Sequence, residues 1–107
     1  MTKNVTITIA NDYSKCPAGR FVTDGPNSGE RFRNDLLGPA LRDNDRVTVI
    51  IDGVEGYGSS FLEEAFGGLV RELKFKKDDI KNRLAVTYKD QAFKMYSDMI
   101  WEYVGQA

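Results

Sequence analysis

Arg46-Val47-Thr48-Val49-Ile50-Ile51-Asp52-Gly53-Val54-Glu55-Gly56-Tyr57-Gly58-Ser59-Ser60-Phe61-Leu62 reads as a strand, a glycine-rich turn and the start of a helix. Residues 46–51 are β-branched and largely apolar, which predicts a central strand covered on both faces. Gly53, Gly56 and Gly58 let the connection bend close to a neighbour. Ser60 stands three residues before Glu63, the spacing of a capping box. Phe61, Leu62, Ala65, Phe66, Leu69, Val70 and Leu73 then give the helix a wide apolar face. Gly67-Gly68 inside it costs roughly 1 kcal/mol per residue relative to alanine, and close backbone packing is the expected compensation.

Upstream, Val5-Thr6-Ile7-Thr8-Ile9 alternates with period two and predicts a half-buried strand. Residues 10–28 are rich in turn formers, and Arg20-Phe21-Val22-Thr23 within them can form a short second strand in a hairpin. Asn27 and Glu30 have capping-box spacing, and Phe32, Leu36, Leu37, Ala40 and Leu41 make a helical stripe. Gly38-Pro39 interrupts that stripe, which predicts a kink or two short helices. Downstream, residues 74–82 read as a charged connection and Leu84-Ala85-Val86-Thr87-Tyr88 as a third strand. Asp90 can cap a last helix in which Phe93, Tyr96, Ile100, Tyr103 and Val104 recur at helical steps. Strand-helix alternation without a long linker predicts one α/β domain over residues 1–107. Its expected form is a small mixed or mostly parallel sheet with three main helices.

Composition narrows the function. The chain has 107 residues, 41% hydrophobic and 29% charged, with a formal net charge of −1. There is no excess of positive charge for nucleic acid or anionic lipid, so neither is an expected partner. There is no histidine and one cysteine, Cys16. Ser-His and Cys-His nucleophile pairs are therefore excluded, as is an internal disulfide, and no zinc site is expected. The cysteine usage and the absence of an apolar leader or span predict a cytoplasmic protein. No catalytic residue, metal or cofactor is assigned.

The site expected to act is the turn at the end of the central strand, where open α/β sheets meet ligands. Gly56, Tyr57, Gly58, Ser59, Ser60, Phe61, Glu63 and Glu64 are the candidate partner-binding residues. Gly53-Val54, four residues, Ser59-Ser60 and then Leu62 resemble the corresponding segment of STAS domains, the bacterial anti-sigma-factor antagonists. Ser59-Ser60-Phe61-Leu62-Glu63-Glu64-Ala65-Phe66-Gly67 is similar, more closely, to the STAS-like domain family of unknown function. The order of elements agrees over most of the chain. The resemblance implies a non-catalytic regulatory module that binds a kinase-like ATPase of the histidine-kinase superfamily or another regulatory protein. It also implies that Ser59 matches the serine the partner phosphorylates, and that phosphorylation weakens the complex. The family's aspartate before the serines is Gly58 here, and the glycine after them is Phe61. Glu63 and Glu64, one turn on, are expected to repel a phosphate.

Two other readings stay open. Asp52, Glu55, Glu63 and Glu64 surround one turn, which suits a magnesium-dependent or receiver-like phosphotransfer protein using Asp52, with Asn11-Asp12 and Lys89 as loose stand-ins for the remaining receiver residues. A solvated acidic rim is the preferred explanation of them. Phe93, Tyr96, Trp101 and Tyr103 make the last helix aromatic, which suits a structural subunit or a homodimer. Arg31, Arg33 and Arg42 on the first helix are expected to be solvated.

Overall fold

The computed structural model describes residues 3–107. Three strands, β1 (Asn4–Thr8), β2 (Arg46–Ile50) and β3 (Leu84–Thr87), form one parallel sheet in the order β1-β2-β3. Val5 pairs with Val47 and Ile7 with Val49, while Val47 and Val49 pair on the other side with Leu84 and Val86. These residues share one face. Ile7, Val47, Val49, Ile51 and Leu84 are buried there, in one core with residues from every long helix.

The opposite face carries Thr6, Thr48, Ile50, Ala85 and Thr87, none of which is buried. The expected two-sided cover of β2 is thus corrected to one side. Period two decides it: Thr6, Thr8 and Thr48 are polar at outward positions, and a run such as Val47 to Ile51 hides that alternation because threonine is itself β-branched and Ile50 is apolar.

The first long helix, α1, spans residues 29–43. It is made of Gly29–Phe32, a widened π-type stretch Arg33–Leu37, and Gly38–Asp43. Its N-cap is Ser28, whose hydroxyl accepts from Arg31 N–H at 3.2 Å. The Asn27–Glu30 box does not form. Asn27 donates to Cys16 O and Glu30 accepts from Val22 N–H, so both side chains tie down the preceding loop instead. The hairpin strand over residues 20–23 does not form either: Val22–Asp24 is a 3₁₀ turn. Pro39 neither stops the helix nor splits it cleanly. The widened turn, closed by Gly38 N–H to Arg33 O, carries the chain past the proline.

The second long helix, α2, spans residues 59–71 as Ser59–Leu62, a π-type stretch Glu63–Gly67, and Gly68–Arg71. Residues 74–82, expected to be a charged connection, contain the start of a short helix, α3 (Lys77–Arg83). Asp78 and Asp79 in its first turn and Lys81 and Arg83 in its last complement the helix dipole, and Ile80 anchors it in the core. Arg83 reaches back to Leu41 O, Asn44 O and Asp79. Asp90 accepts from Ala92 N–H at 2.9 Å, and the turn Gln91–Phe93 leads into α4 (Lys94–Gln106).

Two glycines set how closely α1 and α2 approach. A Cβ on Gly29 would lie 2.4 Å from Phe61 O, and one on Gly68 would lie 2.3 Å from an Arg33 guanidinium nitrogen. What packs against Gly68 is the Arg33 side chain, so the close backbone packing expected for the Gly67-Gly68 pair is corrected there to room for a buried guanidinium. Among the described residues no helix is long and apolar enough to cross a membrane.

Candidate functional site

The turn after β2 is held from beneath by aromatic side chains. Tyr57 is buried, and its hydroxyl donates to Ile51 O at 2.7 Å. Its ring lies 5.8 Å from Phe61, 5.3 Å from Tyr96 and 6.3 Å from Phe93. Burial, followed by the charge of Asp52, pushes the Tyr57 phenol well above its ordinary pKa, so it stays a donor. Gly56 is half-buried because a Cβ there would lie 3.0 Å from the Tyr96 hydroxyl. Phe61 is fully buried.

Above that base, Gly58, Ser59 and Ser60 are exposed. Gly58 is the N-cap of α2, no side chain caps the helix, and Leu62 N–H bonds to Gly58 O. The expected Ser60–Glu63 capping box is absent, because Glu63 is bound elsewhere. Substituting Ser60→Ala is accordingly expected to change stability by less than about 0.5 kcal/mol, not by the ~1 kcal/mol of a lost cap. Thermal unfolding of the variant measures this.

Glu63 and Glu64 belong to an ion cluster with Arg20, Arg33 and Arg71. Glu63 binds Arg20 and Arg71. Glu64 binds Arg33 at 2.6 Å, Arg20 at 3.2 Å and Arg71 at 3.3 Å. Arg33 and Glu64 are both buried, with residue exposures of only 3% each. Arg33 is therefore not solvated as expected, and Glu64 is not on the surface. The π-type stretch explains how the pair fits. Gly68 N–H bonds to Glu63 O, one residue earlier than in an α-helix, which leaves Glu64 O free to accept from Arg33 at 2.9 Å. Burial alone would raise the Glu63 pKa, but hydrogen bonds from Arg71 and Arg20 outweigh it and hold the carboxyl below its usual range. Three guanidiniums face two carboxylates. The expectation that Glu63 and Glu64 repel a phosphate at Ser59 is thereby corrected: their charge is neutralised.

Asp52 does something different again. Its Oδ2 accepts from Lys89 N–H and Asp90 N–H at 2.8 Å each, tying the end of β2 to the end of β3. Its other oxygen is buried without a partner. Ile50, Asp52, Thr87, Tyr88 and Lys89 line a cleft of about 330 Å³ there. Asp12 accepts from Thr8 N–H at 2.7 Å, so it caps its own turn. Of the four acidic residues around the turn, Glu63 and Glu64 join one ion cluster, Asp52 turns to the end of β3 and Glu55 is exposed, and no cluster of three metal-ligating side chains occurs among the described residues.

Of the eight candidate residues, Gly58, Ser59 and Ser60 offer exposed surface, Gly56 and Glu63 are partly exposed, and Tyr57, Phe61 and Glu64 face inward. The inward residues shape the site without being able to touch a partner. Sequence reading missed Arg20 and Arg71: Arg71 stands seven and eight residues after Glu64 and Glu63, a helical spacing along α2 that signals it, whereas Arg20 lies 43 and 44 residues away. On α4, Ser97, Ile100 and Val104 are buried, whereas Tyr96, Trp101 and Tyr103 are partly exposed.

A family model described as a STAS-like domain of unknown function matches residues 28–90. No curated protein and no solved structure matches the chain.

Proposed function

The chain belongs to the STAS-like domain family of unknown function, and on that premise we propose that it is a non-catalytic regulatory module that binds a protein partner through the N-terminal end of α2. One observation carries this reading. Ser59 and Ser60 are exposed on a firmly held helix start and have no capping duty there. Two adjacent hydroxyls at a helix start are ordinarily explained by capping, and that explanation is missing here.

The partner we propose is a kinase-like ATPase of the histidine-kinase superfamily, which the family likeness suggests, with Ser59 as the residue it phosphorylates. The amides of the first turn of α2 and the positive end of its dipole favour a phosphate at this position. The neutralised Glu63 and Glu64 remove the nearest source of repulsion. A charge on Ser59 weakens the complex because it must lose its water when the interface closes.

Ser59→Asp is expected to weaken the partner complex by about tenfold or more, equivalent to ~1.4 kcal/mol, whereas Ser59→Ala leaves it within about twofold. Pull-down from the native host supplies the partner and titration calorimetry compares the variants. Equal affinity of Ser59→Asp and wild type would remove the serine switch.

A further inference from the structure

The loop that enters α1 indicates what a partner must bring to this surface. Phe21 and Val22 are 47% and 54% exposed, the only large hydrophobics besides Met95 that are strongly exposed among the described residues. Two adjacent apolar side chains in water contribute little to folding. Their backbone is nevertheless fixed. Arg20 N–H and Phe21 N–H both donate to Asp24 Oδ2, at 3.1 and 2.8 Å. Val22 N–H donates to Glu30 Oε1 at 2.9 Å, and Glu30 N–H returns to Arg20 O at 3.0 Å. The Arg20 side chain clamps the same loop to Glu63 and Glu64 on α2, close to the exposed serines.

We infer that Phe21 and Val22 form an apolar anchor that enters a pocket on a partner protein, and that the rim of this pocket is basic. The inference rests on the reading of the α2 start as a partner surface and extends it. A fixed loop displaying an aromatic and a β-branched side chain leaves little to be ordered on binding, and buried aromatic anchors dominate interface energetics. The charge around the tip specifies the rim. Asp24 and Glu30 are held by backbone amides and not by cations. Arg20, whose guanidinium lies 6.0 Å from the Phe21 ring, is committed to Glu63 and Glu64. The tip therefore presents two carboxylates that pair with no cation among the described residues, which a basic rim would complement.

The test is calorimetric titration of the purified partner against the wild-type chain, Phe21→Ser/Val22→Ser, Ser59→Asp and Met95→Ser. The double variant is expected to keep the wild-type melting midpoint and to bind at least about tenfold more weakly. Met95→Ser binds as the wild type does, and raising the salt concentration weakens the wild-type complex. A double variant that binds within about twofold of wild type overturns the anchor. The proposed function would survive that result if Ser59→Asp still weakened binding. Salt-independent affinity overturns the basic rim. Sedimentation of the chain alone supplies the other arm: a dimer that the double variant dissolves assigns the tip to a second copy and overturns the separate partner. If no protein binds the wild-type chain at micromolar concentration, the anchor and the proposed function both fall.

Discussion

Glu64→Ala is expected to destabilise the protein by about 3–5 kcal/mol, because it leaves the Arg33 guanidinium buried without its counter-charge. Arg33 has nowhere else to go. It is packed against Gly68, and its remaining bonds, to Glu64 O and Asn34 Oδ1, are to neutral groups. The loss does not measure what the pair contributes to stability. Replacing both partners with apolar residues of similar volume, Arg33→Met with Glu64→Leu, is expected to cost far less than either single change, since neither charge is then stranded. Urea unfolding of the three variants separates the cases. A fall in midpoint for Glu64→Ala at unchanged m indicates lost stability of a fold that is otherwise the same. A single variant within about 1 kcal/mol of wild type would mean that Arg33 reaches water.

Gly29→Ala is expected to cost about 1–3 kcal/mol through overpacking. The added methyl would sit 2.4 Å from Phe61 O and 3.2 Å from Ala65 N. Both are backbone atoms of α2, so no side-chain rotation relieves the clash, and α1 must move away from α2. Gly105→Ala is the matched control. Gly105 lies in α4 with no heavy atom within 4 Å of the added methyl. There alanine stabilises by up to about 1 kcal/mol through its helix propensity. Opposite signs for the two substitutions, read from thermal or urea midpoints, establish that contact and not glycine content decides.

Period-two and period-3.6 patterns in the sequence were enough for the sheet, the three long helices and the position of Ser59-Ser60 at the start of α2. Where side chains had two possible partners, local spacing gave the wrong one. Asn27 and Glu30 sit at capping distance but serve the loop, and Ser28 caps instead. Ser60 and Glu63 repeat the pattern: Glu63 turns to Arg71, about two turns on along α2, and to Arg20, which is remote in sequence. A carboxylate gains more from a guanidinium than from a backbone amide, and nothing local announces that Arg20 is in reach. The same remoteness hid the burial of Arg33. The helix Lys77–Arg83 was missed because its single buried side chain, Ile80, leaves no periodic stripe. At the site, the turn was legible from its glycines and serines. The inward direction of Tyr57, Phe61 and Glu64 follows from packing against α1 and α4, which one helix's sequence does not contain.

Hydrogen exchange of the protein alone and in complex with its partner tests most directly whether the start of α2 is the binding surface. Slower exchange across residues 56–64 in the complex, with the exposed face of α4 unchanged, is the predicted result. Protection confined to α4, with residues 56–64 exchanging as in the free protein, would contradict it.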